Sequence, residues 1–232
     1  MQKGAIHFID FCSMTTKTNR GKTVALWLLA AAALGVSFCF DATVMRFSAN
    51  VPDGSALGIF GSQGSHYGEL QFLLLPCAIV ALVAWFRRDA ACLRVICMMV
   101  IASLLAGAGA DIVRGMTGRT RPSASPEIQP GWYGPRVNGE WVVINPRYNA
   151  FPSAHAAASM GLIGVLLVMR RRIGWLLLPV PVLIAAARIC ANAHHLSDVV
   201  GGALLGIAVA CWVYLAIGPV LERWRIVEKL PA

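Results

Sequence analysis

The stretch VVGGALLGIAVACWVYLAIGPV occupies residues 199–220 and contains no charged side chain. The hydrocarbon core of a bilayer is about 30 Å thick, and a helix of about 20 apolar residues crosses it. Inside that core each backbone amide must find its partner within the chain, which a helix achieves and an open strand does not. We therefore predict that this stretch is a transmembrane helix and that the fold is all-α.

Five further apolar stretches give the chain about six predicted spans. Residues are 57% hydrophobic and 13% charged, whereas a soluble domain has about 25% charged residues. The expected fold is a polytopic membrane helical bundle formed by one domain, residues 23–220, between an N-terminal tail (1–22) and a C-terminal tail (221–232). The predicted spans are residues 24–40, 70–86, 92–113, 154–169, 173–190 and 199–220, and residues 41–69 are predicted to form an outer surface loop.

The basic residues favour one orientation of these spans. If the N-terminus is cytoplasmic, that side carries 13 of the 20 Lys and Arg residues and the other side carries seven. The positive-inside rule then places both termini in the cytoplasm, in a cell inner or cytoplasmic membrane. No basic stretch is interleaved with aromatic residues as a strand-binding groove requires, so nucleic-acid binding is not expected despite the net charge of +9.

Three short segments at the predicted outer ends of spans carry charged and nucleophilic side chains. They read RGMTGRTRP at 114–122, FPSAH at 151–155 and ARICANAHHLSD at 187–198. The predicted topology places all three on the face that looks toward the periplasm or the exterior. We expect them to form one site at the outer-leaflet face.

The residue types in these segments fit phosphoryl transfer. A phosphate monoester carries close to two negative charges, and its transfer is catalysed mainly by positioning and electrostatic stabilisation. Arg114, Arg121 and Arg188 can surround one phosphoryl group, because a guanidinium stays charged and presents a planar fork of donors. Ser153 is expected to cap a helix whose first free amides, including that of Ala154, face the anion.

Two histidines and an aspartate supply the remaining chemistry. His194 and Asp198 are four residues apart and share a face if the segment is helical. The carboxylate could then orient the ring and leave its other nitrogen free to attack phosphorus. His155 could protonate the leaving group as a general acid, whereas His195 fits no such role and is expected to be structural.

The sequence assigns no single partner to Arg119 or Arg136. Pairing with Asp111, Glu127 or Glu140 is open to them, and so is contact with lipid phosphates.

The three segments resemble the signature of the type 2 phosphatidic acid phosphatase superfamily: KxxxxxxRP, then PSGH, then SRxxxxxHxxxD. Arg114 stands where the signature has lysine, Ala154 where it has glycine and Ala187 where it has serine. None of these departures removes a reacting group. The resemblance covers residues 111 to about 206 and implies a helical bundle whose site, in membrane members, lies at the outer leaflet.

The resemblance also implies roles for individual residues. His194 would be the nucleophile that forms a phosphohistidine, Asp198 would orient it, and His155 would be the acid. It implies hydrolysis without metal or cofactor, on a phospholipid, a polyprenyl diphosphate or a lipid A phosphate; neither the lipid nor the oligomeric state is predicted. The residues implied to bind phosphate are Arg114, Arg121, Ser153, Ala154 and Arg188.

Other functions are compatible with parts of the pattern. A phosphotransferase would pass the same phosphoryl group to another lipid or a sugar instead of water. A membrane transporter could show the spans but has no need of this constellation. The vanadium haloperoxidases share the signature, but they are soluble, which the predicted spans oppose.

Overall fold

The computed structural model describes residues 20–124, 127–142, 145–169 and 171–223, and in these the chain is mainly helical. Between the helices Ala90–Thr117 and Ala154–Val168, a long loop holds the antiparallel strands β1 (Arg136–Val137) and β2 (Glu140–Trp141). A 3-10 turn at Pro146–Tyr148 follows them. The helices are α1 (Arg20–Ala49), α2 (Ala56–Tyr67), α3 (Leu70–Phe86), α4 (Ala90–Thr117), α5 (Ala154–Val168), α6 (Arg172–Leu177), α7 (Pro179–Cys190), α8 (Leu196–Ala216) and α9 (Gly218–Arg223).

Helix α5 is the centre of the bundle, packed between α4 and α8. Its backbone touches that of α8 closely, because a Cβ atom added at Gly206 would lie 2.5 Å from the Ala157 carbonyl oxygen. One turn earlier, a Cβ atom at Gly202 would collide with the carbonyl of Ser153. Glycine at these two positions therefore lets the N-terminal ends of α5 and α8 lie side by side.

The apolar helices show a multi-pass membrane protein. Among the described residues, four helices are long and apolar enough to cross a bilayer, and the pair α2 and α3, bent by 56°, would make a fifth. Helix α5 is apolar but shorter, at 15 residues. Many large apolar side chains are exposed on these helices, as a surface covered by lipid requires. The count of about six spans remains a prediction.

The predicted boundaries were wrong at both ends of the first span. Helix α1 begins at Arg20, inside the predicted tail, and continues past residue 40 to Ala49. No proline occurs before Pro52 to end it. In the extension beyond residue 40, the charged side chain of Asp41 is buried and paired with another part of the chain. The predicted outer loop 41–69 is therefore largely helical, in the end of α1 and in α2.

The predicted C-terminal boundary also differs. Helix α9 includes residues 221–223, which were assigned to the tail. Residues 1–19 and 224–232 of the two predicted tails lie outside the described residues.

Candidate active site

The three segments meet at one end of the bundle, as the sequence predicts. Arg114 lies in the last turn of α4 and Arg188 in the last turn of α7. Ser153 precedes α5, and Asp198 lies in the first turn of α8. Alternating helix direction thus collects residues from distant parts of the sequence at one face.

A left-handed turn brings the loop after α4 back over this end. Helix α4 ends at Gly118, whose φ is 58° and whose N–H donates to the Arg114 carbonyl over 3.1 Å. A side chain at Gly118 would strike the carbonyl of Gly134. Glycine is therefore suited to this position, and Arg119 and Arg121 follow directly on the side of the site.

His194 is buried at this end, with 1% of its surface exposed. Burial lowers its pKa well below the ordinary value of 6.5, and the positive charges of Arg188, Arg121 and Arg114 lower it further. Burial also lowers the pKa of Arg121. A neutral imidazole surrounded by three arginines is an arrangement suited to a phosphate dianion.

The ring of His194 is held by a backbone carbonyl. Its Nδ1–H donates to the Ala150 oxygen over 2.9 Å, whereas Oδ2 of Asp198 lies 3.6 Å from the same nitrogen. Helix α8 begins only at Leu196, so the expected shared helical face of His194 and Asp198 does not form. The orienting hydrogen bond predicted from Asp198 is made by Ala150 instead.

Two buried nitrogen atoms at this site have no partner among the described residues: Nε2 of His194 and Nε of Arg188. With Nδ1 carrying the proton, Nε2 of His194 holds a free lone pair. Buried polar atoms without a partner are uncommon in native proteins and call for an explanation. A substrate phosphoryl group would offer an oxygen to accept from the Arg188 Nε–H and a phosphorus atom for the Nε2 lone pair to attack.

The first turn of α5 contributes Ser153, Ala154 and His155. Ser153 is fully buried and caps the helix as predicted, its Oγ accepting from the Ala156 N–H over 3.5 Å. Its own N–H donates to the Asp198 carbonyl over 2.9 Å. His155 lies within electrostatic range of His194 and of the three arginines, so the structure brings together all the residues predicted for the site.

Arg114 has an additional partner inside its own helix. Its guanidinium pairs with the carboxylate of Asp111, one turn earlier in α4. It nevertheless remains within electrostatic range of Arg188 and Arg121, so it belongs to the same cationic cluster.

Sequence reasoning missed a second polar cluster behind the site. Arg119 is 7% exposed and pairs with Asp41 of α1 and with Asp198, over 2.6 Å and 2.5 Å. It also donates to Ser197 over 2.6 Å. The available signal was Asp41 itself, since a carboxylate at the end of an apolar run is a candidate functional residue.

His195 is held beside this cluster. It is buried, its Nε2 lies 3.2 Å from the Thr120 carbonyl, and its backbone N–H donates to Oδ2 of Asp198 over 2.7 Å. In the part of the chain that the structure describes, no group of three or more His, Cys, Asp or Glu side chains is placed to hold a metal ion.

The family model of the PAP2 superfamily, the type 2 phosphatidic acid phosphatases, matches residues 91–220, more than half of the chain. This protein belongs to the PAP2 superfamily. The match includes all three segments and confirms the resemblance that their spacing indicates.

Two curated relatives are similar to part of this chain. It is 28% identical over 171 residues to a probable lipid phosphate phosphatase 4 from Arabidopsis thaliana, covering 63% of this chain and 56% of that protein. It is 29% identical over 117 residues to the bacitracin transport permease protein BcrC from Bacillus licheniformis, covering 50% and 55%. The chain thus spans little more than half the length of these curated relatives.

A solved structure shows the same fold. The crystal structure of a transmembrane PAP2 type phosphatidylglycerolphosphate phosphatase from Bacillus subtilis superposes with a TM-score of 0.54 at 18% identity. The superposition covers 87% of this chain and 96% of the other. The all-α membrane bundle predicted from the sequence is therefore confirmed.

Proposed function

We propose that this PAP2 protein is an integral membrane lipid phosphatase that hydrolyses a phosphate monoester or diphosphate on a lipid headgroup. One observation carries the proposal: the neutral, buried His194 presents a free Nε2 beside three arginines. The Arabidopsis relative and the Bacillus subtilis neighbour, both named as phosphatases, support it.

The first chemical step joins His194 to phosphorus. Nε2 attacks the phosphoryl group, the bond from phosphorus to the leaving oxygen breaks, and a phosphohistidine forms. His155 donates a proton to that oxygen as a general acid. The imidazole gains positive charge, which the carboxylate of Asp198 at 3.6 Å stabilises.

The second step returns His194 to its starting state. Water attacks the phosphohistidine, its proton passes to His155, and inorganic phosphate leaves. Throughout, Arg114, Arg121 and Arg188 stabilise the charge on the equatorial oxygens, together with the Ser153 hydroxyl and the Ala154 amide at the start of α5. The arginines provide the positive charge that a metal provides in other phosphatases, so we propose that neither metal nor cofactor is needed.

The substrate and membrane side belong to the same proposal. The candidates are phospholipids such as phosphatidylglycerol phosphate and phosphatidic acid, polyprenyl diphosphates and lipid A phosphates. Phosphatidylglycerol phosphate is the substrate for which the Bacillus subtilis neighbour is named. The 13-to-7 distribution of basic residues supports cytoplasmic termini in the inner membrane, with the site facing the periplasm or exterior.

The decisive test is phosphate release by purified protein in detergent, measured over these lipids with excess chelator and no added acceptor. We expect release from at least one lipid. The variant His194→Ala should lose at least about 1,000-fold in rate, because removing a covalent nucleophile eliminates the chemical step.

The control for this test is His66→Ala, which alters an exposed histidine of α2 and should retain activity. Release that depends on an added acceptor would indicate a phosphotransferase, and its absence on every lipid would favour a transporter. Activity that chelator removes and magnesium or zinc restores would refute the covalent-histidine mechanism.

A further inference from the structure

Behind the catalytic groups lies a buried set of side chains that the mechanism above does not use. We call Asp41, Arg119 and Ser197 the anchor. They come from α1, from the loop after α4 and from the first turn of α8. Asp41 is 78 residues from Arg119 and 156 residues from Ser197 in sequence, so the anchor joins three regions of the chain.

The side-chain hydrogen bonds of the anchor connect Arg119 to the Asp198 carboxylate and connect the three anchor residues to one another. One terminal nitrogen of Arg119 donates to Asp198 over 2.5 Å and to Ser197 over 2.6 Å, and the other donates to Asp41 over 2.6 Å. Asp41 in turn accepts from the Ser197 N–H over 2.8 Å and from its hydroxyl over 2.6 Å. The second oxygen of Asp198 accepts from the backbone of His195, so both oxygens are fixed.

The guanidinium of Arg119 is also covered by aromatic rings. Its central carbon lies 4.7 Å from the Trp132 ring centroid and 5.3 Å from that of Phe38, as in cation–π contacts. Trp132 and Phe38 contact each other and Phe151. With both terminal nitrogens bound to carboxylates, Arg119 is held away from the position of a substrate phosphate.

We propose that the anchor residues are positioning residues that fix the Asp198 carboxylate beside Nδ1 of His194. This inference rests on the proposed function, because the ring acquires positive charge only when Nε2 is phosphorylated. The first membrane helix is then part of the catalytic apparatus, through Asp41. The hydrogen bond to Ala150 sets the tautomer of His194, and the anchored charge stabilises the intermediate.

The kinetic test compares Arg119→Met with Arg136→Met. Arg136 is a matched control because it stacks on Trp141, 4.3 Å from the ring centroid, yet is exposed. Arg119→Met should lower kcat about 100-fold with little change in KM, since an ångström of misplacement has effects of that size. Arg136→Met should change neither parameter. A rise in KM at constant kcat for Arg119→Met would make Arg119 a phosphate-binding residue and overturn the proposal.

A second variant separates positioning from folding. Arg119→Met leaves two buried carboxylates without their cation, which destabilises the protein. Adding Asp41→Asn removes one of those charges and should restore thermal stability in detergent. We expect kcat of the double variant to stay about 100-fold below wild type, since Asp198 still lacks its holder. Recovery of kcat together with stability would show that the anchor stabilises the fold and does not position Asp198, which would overturn the proposal.

A third measurement needs no substrate. In protein labelled with 15N-histidine, the His194 resonance should titrate at higher pH in Arg119→Met than in wild type, because the Asp198 charge is no longer neutralised. An unmoved titration would overturn the inference. If wild type releases no phosphate while this titration moves, the proposed function fails, and what stands is that the anchor fixes the Asp198 charge beside His194. The other charged and titratable groups near the ring, unchanged in this comparison, are Arg114, Arg121, Arg188, His155 and His195.

Discussion

At the residue scale, the chemistry depends on a histidine that stays neutral. Two influences act on His194 in the same direction: loss of water by burial and repulsion by three arginines. Both disfavour the protonated ring. Because the Ala150 carbonyl holds the proton on Nδ1, the neutral ring also has the tautomer that presents Nε2 to phosphorus.

This arrangement predicts the acid limb of the pH profile. Protonation of His194 removes the nucleophile, and its pKa is lowered below 6.5, so kcat/KM should hold as pH falls through 6.5 and decline only further down. Steady-state phosphate release across the pH range measures this. A decline centred at or above pH 6.5 would show an imidazole with an ordinary or raised pKa.

A control is needed because a phosphate monoester itself titrates near pH 6. Repeating the profile with a monoester of different pKa distinguishes the two. A limb that moves with the substrate belongs to the substrate, and a fixed limb belongs to the protein.

At the residue scale, spacing in the sequence predicted which side chains lie together. His194, Asp198, His155 and the arginines of the signature were predicted at one end of the bundle, where the structure has them, and their roles remain predictions. Asp41 was not, because its partners lie 78 and 156 residues away and no local spacing relates them. The hydrogen bond from His194 to the Ala150 carbonyl was also not predictable, since every residue has a backbone carbonyl and no sequence pattern marks this one.

At the element scale, the position of the site depends on how closely α5 approaches α8. The glycines on α8 remove side chains at the crossing, so the two backbones touch. This contact sets the distance between the cap of α5 and the first turn of α8. It therefore sets the distance between His155 and the Asp198 carboxylate.

Gly206→Ala tests this packing. The added methyl group would lie 2.5 Å from the Ala157 oxygen and 2.8 Å from the Gly161 nitrogen, both backbone atoms that cannot move alone. Overpacking of this kind costs about 1–3 kcal/mol, so thermal denaturation in detergent should occur about 5 °C lower. Activity should fall as well, because the helix ends separate.

The matched control is Gly109→Ala in α4, where the nearest atom to an added Cβ is 3.9 Å away. It should leave stability unchanged or raise it, since alanine favours helix over glycine. Equal losses in the two variants would show that helix packing is not responsible.

The long apolar helices were predictable at this scale, whereas α2 and the helix ends were not. Hydropathy locates the apolar part of α1 but stops at Asp41, because it treats a carboxylate as exposed. The helix continues since Arg119 neutralises that charge. Tertiary partners of this kind decide where a helix ends, and a single stretch of sequence does not contain them.

At the scale of the whole molecule, the bundle carries charged groups at its two ends and apolar surface along its length. The distribution of basic residues predicts which end faces the cytoplasm. Glu140 in β2 lies in the loop over the site, and Arg171 precedes α6 at the other end of the bundle; both are exposed.

Cysteine labelling checks the orientation. In a variant lacking the seven native cysteines, Glu140→Cys should react with a membrane-impermeant thiol reagent added to intact spheroplasts, and Arg171→Cys should react only after lysis. The reverse pattern would place the site in the cytoplasm.

The pairing of Asp41 has a consequence for biogenesis. During synthesis, α1 enters the membrane before either of its partners exists, and Ser197 follows 156 residues later. At 5–20 residues per second this is a delay of roughly 10–30 s. Until Arg119 is made, 78 residues after Asp41, the first helix holds a carboxylate with neither partner present. Its pairing stays incomplete until α8 arrives with Ser197. Insertion of α8 thus completes the hydrogen bonds that hold the first helix in position.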